Sequence, residues 1–226
     1  MFPTLIAAFW FTVITTQLPI TYAPSEQILA THSFSMSDRY GNEFVNNVFK
    51  DNILLTLSYL SGQSKPTEVV NWTNVEKPFS YAITLKKGET FAFHDTVLPK
   101  YQGHVDITTH AHFSSMEGFK SDGDLVGDGV CHLASLLSWS AKDAGLAVEA
   151  PTNHDFAVIP EVPQSEGVAI YDTPQDITGS QLQNLYITNN KDTDVTIIFL
   201  YDGKSLTIRV AQLITPSTAL YSIQNG

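Results

Sequence analysis

Two stretches of the chain repeat their apolar residues at the spacing of an amphipathic helix. In residues 42–61 apolar side chains recur every three or four positions, Asn42 can cap the start, and Gly62 follows the end. A second helix begins at Cys131, continues through a stripe of leucine and alanine, and ends at Gly145. Both stretches are predicted to bury one face.

Shorter segments have the composition of β-strands. Residues 195–201 and 204–210 flank Asp202-Gly203, a dipeptide typical of two-residue hairpin turns, and predict a C-terminal β-hairpin. Residues 95–130 are rich in Gly, Asp, Ser and Thr and are predicted to be mainly loop. Further strands are predicted at residues 79–85 and 90–93, on either side of a turn at 86–89, and around 146–149, 155–159, 167–171 and 184–188.

This order of elements predicts an α+β fold. It would contain an N-terminal helix, a cysteine-bearing central helix packed on an antiparallel sheet, and a C-terminal β-hairpin. A single domain is expected over residues 42–226, preceded by a linker at 24–41.

The amino terminus has the pattern of an export signal. Residues 5–14 are almost entirely apolar, yet this run is shorter than the about 20 residues that a membrane-spanning helix needs. Thr21 and Ala23 place small residues where signal peptidase cleaves. Residues 1–23 are therefore predicted to be a signal peptide or membrane anchor, although no Lys or Arg precedes Arg39. The protein is expected to be extracytoplasmic, either secreted or membrane-anchored, while a buried N-terminal strand or helix is the alternative.

Composition excludes several classes of protein. Twelve Lys and Arg residues against 23 Asp and Glu residues give a net charge of −11 in 226 residues, which argues against binding to nucleic acid. The only cysteine, Cys131, excludes an intrachain disulfide framework and a cysteine-rich zinc cluster.

Cys131 is the first candidate for chemistry, because it follows the glycine-rich turn Gly127-Asp128-Gly129 at the start of a helix. Free N–H groups at a helix start stabilise an anion, so we expect a lowered thiol pKa and a nucleophilic thiolate. The same groups can receive the oxyanion of an attacked carbonyl. A small buried hydrophobe is the alternative interpretation of this cysteine.

A cysteine nucleophile needs a base and a group that orients the base. His154 opens the strand-like run at 155–159, and Asp172 closes the next run at 167–171. If these two runs pair antiparallel behind the helix, both side chains can face Cys131. In this hypothesis Cys131 attacks an acyl carbon, His154 carries the proton, and Asp172 holds the imidazole tautomer.

Three motifs resemble the VanW family. The segment GDGVCHLASLL at 127–137 is similar to the family's GGGVCQVSTTL, and KGETFAFHDTV at 87–97 and NLYITNN at 184–190 resemble PGETFSFN and DLRFRNNT. The resemblance covers roughly residues 88–210. It implies an extracytoplasmic envelope protein, and the family has no settled biochemical activity.

The order Cys131, His154, Asp172 also resembles, more remotely, the pattern of transglutaminase-like proteins. This resemblance implies a cysteine-dependent acyl transferase or amide hydrolase. A peptide or glycan of the cell envelope, such as peptidoglycan, is the expected substrate and partner, and no cofactor or metal is assigned.

Two other functions stay open at this point. A non-catalytic envelope-binding or scaffold module would use aromatic side chains to line a groove, and the candidates are Tyr59, Trp72, Tyr101, Trp139 and Tyr171. A metal-binding protein would use His110 and His112 on one face of a strand, with His94, His104 and Asp106 nearby, or a calcium loop containing Asp122, Asp124 and Asp128.

Overall fold

The computed structural model describes residues 25–123 and 125–214, which form two antiparallel sheets, four α-helices and three short 3-10 helices. The larger sheet has the strand order β1-β7-β6-β2 and the smaller sheet the order β3-β5-β4. The strands are β1 (Ser25–Ser35), β2 (Phe79–Leu85), β3 (Thr90–Ala92), β4 (Ala147–Glu149), β5 (Tyr186–Thr188), β6 (Val195–Tyr201) and β7 (Ser205–Ile214). The helices are α1 (Glu43–Leu60), α2 (Trp72–Val75), α3 (Val130–Asp143) and α4 (Ile177–Leu182), with 3-10 turns at Pro99–Tyr101, Ser115–Glu117 and Gln164–Glu166.

The predicted α+β class and both long helices are confirmed. In α1 the side chain of Asn42 accepts a hydrogen bond from the Phe44 N–H, and in α3 the basic Lys142 lies in the last turn. The helix α3 contacts strands of both sheets as well as α1, so the cysteine-bearing helix is the element that joins the layers.

The C-terminal hairpin of β6 and β7 is also confirmed. Its turn is closed by Asp202, whose Oδ1 accepts hydrogen bonds from Lys204 N at 2.8 Å and Ser205 N at 2.7 Å. Gly203 has φ +96°, a conformation that disfavours residues with a side chain. Alternate residues of β6 are buried, as expected for a strand with one face on the core.

The prediction of a linker over residues 24–41 is wrong for most of that segment. Residues 25–35 form β1, which pairs with β7 along its whole length through a register shift between Ile28 and Ala30. Its alternation is weak because β1 is an edge strand, and edge strands keep polar residues on the exposed side. Residues 25–35 therefore belong to the larger sheet. The predicted leader at 1–23 lies outside the described residues.

The turn predicted at 86–89 is present, but β2 and β3 do not pair with each other. Strand β2 pairs with β6 in the larger sheet, and β3 pairs with β5 in the smaller one. Gly88, at φ +83°, turns the chain from one sheet to the other, and its N–H donates to the carbonyl of Asn189 at 2.8 Å. A turn signal indicates a change of direction and does not specify the partner strand.

The strand predicted at 167–171 is an extended segment that pairs with helix side chains. Val168 N donates to Ser135 Oγ at 2.8 Å, and Ile170 N donates to Cys131 Sγ at 3.3 Å. From its other side, Ala169 N donates to the Thr152 carbonyl at 3.0 Å. The strand predicted at 155–159 is also wrong, because that segment is irregular. The strands predicted around 146–149 and 184–188 are confirmed as β4 and β5.

The start of α3 lies directly against α1. The buried Asn52 amide of α1 donates to the carbonyls of Lys120 and Asp128 and accepts from Lys120 N, so it fixes both ends of the loop before α3. A Cβ atom at Gly129 would lie 2.8 Å from the Phe49 carbonyl oxygen, closer than real Cβ contacts come. The two helices therefore meet at a position that only glycine fits.

Within residues 25–123 and 125–214, no helix has both the length and the apolar composition needed to cross a membrane.

We expect Gly129→Ala to destabilise the fold far more than Gly203→Ala. Both glycines have φ +96°, but a Cβ at Gly203 would meet only Pro78 Cγ at 3.7 Å. Gly203→Ala should cost about 1 kcal/mol for the left-handed backbone alone. Gly129→Ala should cost about 2 kcal/mol more, because it also pushes α1 and α3 apart. Urea unfolding of the two variants measures the difference, and equal losses would contradict close helix contact at Gly129.

Candidate functional site

A cleft of about 810 Å³ opens beside the first turn of α3. Its volume is in the range typical of small-molecule and peptide pockets. The three predicted site residues Cys131, His154 and Asp172 all line it. The other lining residues include Tyr40, Phe49, His112, Phe113, Met116, Glu117, Leu125, Val126, Asp128, His132, Phe156, Ile170, Tyr171 and Thr173.

The Cys131 thiol is bonded to the backbone of the extended segment. Its sulfur accepts from Ile170 N at 3.3 Å and donates to the Ile170 carbonyl at 3.6 Å. Burial, helped by the negative charge of Asp128, raises the pKa of the thiol to about 11 against the lowering effect of the Ile170 hydrogen bond. The expectation of a lowered thiol pKa is wrong, because desolvation outweighs the field of the helix start.

His132, which follows the cysteine, is buried and neutral. Its Nδ1 lies 3.3 Å from Arg39 Nη2, and its Nε2 lies 3.5 Å from the Tyr40 hydroxyl. Burial, and then the charge of Arg39, lower the pKa of His132 well below its usual value. Because a guanidinium only donates, Nδ1 is the acceptor and the proton of the neutral ring lies on Nε2.

His154 packs in the same cleft without a hydrogen bond to the thiol. Its ring lies 6.1 Å from the His132 ring, centroid to centroid, and 4.0 Å from the Phe156 ring. The residue is 5% exposed, its Nδ1 has no hydrogen-bond partner, and burial lowers its pKa. Among the described residues no ring nitrogen bonds the sulfur of Cys131.

Asp172 lies closest to a different histidine. Its carboxylate is 4.0 Å from His94 Nδ1, and no hydrogen bond joins it to His154. The cleft thus gathers Cys131, His154 and Asp172, but not as a hydrogen-bonded chain. Their roles as nucleophile, base and orienting group stay a prediction.

The histidines proposed as metal ligands are each paired with a separate carboxylate. His110 lies 3.2 Å from Asp95 and His112 lies 2.9 Å from Glu117, Nδ1 to carboxylate oxygen. His110 has φ +56°, so the two side chains do not share one face of a strand. Burial alone would lower the pKa of His112, but its hydrogen bond and ion pair with Glu117 produce a net rise.

In residues 25–123 and 125–214, no group of three or more His, Cys, Asp or Glu side chains is placed to hold a metal ion. Asp124 of the proposed calcium loop lies outside these residues.

Most of the aromatic side chains predicted to line a groove are structural. Tyr59 is buried and donates to the Glu117 carbonyl at 2.5 Å, Tyr101 stacks on Tyr186, and Trp139 stacks on His32. Trp72 lies beneath the Lys120 ammonium, with 4.0 Å to the ring centroid. Tyr171 does line the cleft and is 46% exposed.

Sequence reasoning missed several lining residues. Tyr40 lies in the segment predicted as a linker, Glu117 in the stretch predicted to be mainly loop, and Phe156 in the wrongly predicted strand at 155–159. The sequence pointed to His132 through its position next to Cys131, which suggests that it lies near the same site.

A family model described as VanW like protein matches residues 80–211, more than half of the chain. The chain belongs to the VanW-like family. The matched region contains Cys131, His154 and Asp172, whereas Tyr40 and Phe49 of the cleft wall precede it. No curated protein and no solved structure gives a significant match to the chain.

We expect the Cys131 thiol of this VanW-like protein to lose its proton at a higher pH than an ordinary thiol does. Alkylation of the folded chain by iodoacetamide should be slow at pH 7 and rise with a midpoint at about pH 11. The chain has a single cysteine, so the rate reports Cys131 alone.

The control is the chain unfolded in urea, which should label with an ordinary thiol midpoint at about pH 8.5. Since the folded pKa is the higher one, the thiol's contribution to stability is complete below the unfolded value and is lost as the pH rises toward the folded one. A folded-state midpoint at or below neutral pH would contradict a neutral thiol bonded to the backbone of Ile170.

Proposed function

We propose that this VanW-like protein is exported and that its cleft binds a peptide of the cell envelope. The observation that carries the proposal is the cleft of about 810 Å³ with an apolar rim exposed to solvent. Met116 is 92% exposed, Phe156 72% and Leu125 60%. Large apolar side chains gathered around an opening are typical of a binding surface.

A peptide fits this rim better than a glycan does. Sugars are usually bound on flat aromatic platforms, whereas three of the five exposed large apolar side chains among the described cleft residues, Met116, Leu125 and Val126, are not aromatic. The thioether of Met116 and the branched side chains of Leu125 and Val126 instead match the apolar side chains of a peptide. Glycan binding is the other outcome of the binding experiment below.

We expect Phe156→Ala to weaken binding of peptides released from the host envelope by about tenfold. The loss follows from the apolar area that the ring covers on binding, at about 25 cal/mol per Å². The matched control is Phe44→Ala, because Phe44 is also exposed, at 59%, and is not among the cleft residues. Isothermal titration calorimetry with purified peptide and glycan fractions measures both.

Equal losses in the two phenylalanine variants, or binding of the glycan fraction alone, would refute peptide binding in this cleft.

Export is supported by the leader pattern of residues 1–23 and by what the family resemblance implies. We expect the full chain to be recovered outside the cytoplasmic membrane of its host, and a chain lacking residues 2–23 to stay inside. Cell fractionation with immunodetection compares the two. Retention of the full chain in the cytoplasm would refute export and an envelope ligand, but it would not contradict peptide binding in the cleft.

Cysteine-dependent acyl transfer or amide hydrolysis is the second candidate function. The observation that favours it is that Cys131, His132 and His154 line the same cleft. The resting thiol is neutral, so this chemistry requires a bound ligand to release the sulfur from Ile170 and bring it to a histidine. If Cys131 is alkylated faster at pH 7 with envelope peptides, at peptide concentrations that do not saturate the cleft, than without them, the result supports this candidate.

A further inference from the structure

The Asp172 carboxylate is a nearly buried charge without a hydrogen-bond donor. Its side chain is 4% exposed and lines the cleft. Within the part of the chain that the structure describes, its one ion-pair contact is with His94, with Nδ1 4.0 Å from Oδ2, and the more distant His112 ring interacts with it electrostatically. That separation is too long for a hydrogen bond. Carboxylates with so little exposure are normally paired, so this one has capacity for a further partner.

His94 does not neutralise this charge. The imidazole is fully buried, and its Nε2 lies 3.0 Å from the Gln183 carbonyl, to which only an N–H can bond. Its Nδ1 lies 3.4 Å from the Asn184 amide nitrogen and accepts from it. Burial lowers the pKa of His94 in spite of the opposing effect of Asp172, so the ring is neutral and its Nδ1 offers a lone pair.

The rest of the cleft adds two carboxylates, and among its described lining residues the only group with a raised tendency to carry positive charge is His112, whose pKa is raised mainly by Glu117. Glu117 and Asp128 also line it, and no Lys or Arg is among its described lining residues. Glu117 is already engaged by His112, at 2.9 Å. The unpartnered Nδ1 of the buried His154 is a second polar atom of the cleft without a partner in the protein.

We propose that the cleft recognises an amino group on its peptide ligand, with the ammonium paired to the Asp172 carboxylate and the adjoining chain packed on the apolar rim. This inference rests on the proposed peptide-binding function and names the chemical class of the ligand. An ammonium has three N–H donors. The Asp172 carboxylate accepts no hydrogen bond from the described residues, so it can accept these donors. The net charge of −11 favours approach of a cation.

The test compares envelope peptides with free amino groups and the same peptides after chemical acetylation, which removes the charge. On the native chain we expect the acetylated form to bind about tenfold more weakly or worse, as expected for loss of a charged hydrogen bond. This comparison needs no variant. Calorimetric titrations at low and at high salt should both show the difference, because a buried pair is poorly screened.

Asp172→Asn should bind both peptide forms equally, since the amide keeps the shape and loses the charge. The matched control is Asp192→Asn, which makes the same change at a surface ion pair with Lys87 and should keep the native preference. Thermal unfolding of Asp172→Asn should be unchanged or later than that of the native chain, because an unpaired buried charge is removed.

Three outcomes are distinguishable. A preference for the free amine that disappears in Asp172→Asn and persists in Asp192→Asn supports the inference. Equal binding of free and acetylated peptides to the native chain, or an unaltered preference in a folded Asp172→Asn, overturns the inference and leaves peptide binding standing. Binding of neither form overturns the proposed function and this inference with it.

Discussion

The close contact between α1 and the first turn of α3 is the constraint on which the site depends. Gly129 has no side chain, so the backbone of Phe49 can pass within about 3 Å of where a Cβ would lie. The Asn52 amide then satisfies the backbone of the loop that leads into α3. Because the two helices meet here, Phe49 and Cys131 become walls of one cleft.

The position of Cys131 on α3 gives the cysteine a structural role. Cys131 and Ser135 lie one turn apart on α3, and each accepts an N–H of the extended segment, from Ile170 and Val168. The helix therefore takes the place that a neighbouring strand would have in a sheet. The sulfur that the sequence analysis assigns to nucleophilic attack serves in the resting protein as a hydrogen-bonding group on a partly buried residue, and its raised pKa follows from the desolvation of the thiol there.

The electrostatics of the cleft follow from which of its groups are desolvated. Burial keeps His132 and His154 neutral by lowering their pKa values, and no lysine or arginine is among the described residues that line the cleft. The proposed pairing of a peptide ammonium with Asp172 rests on this arrangement, in which a cavity with apolar edges contains a carboxylate that accepts no hydrogen bond.

Local signals in the sequence determined the α+β class, both long helices and the hairpin at Gly203, because apolar periodicity and turn residues act over a few neighbouring positions. They also marked Cys131, His154 and Asp172, which do line one cleft. Only the tertiary structure decided that residues 25–35 complete a sheet, that Asp172 lies beside His94, and that the thiol is neutral. These properties depend on partners distant in sequence and on desolvation, which no local pattern encodes.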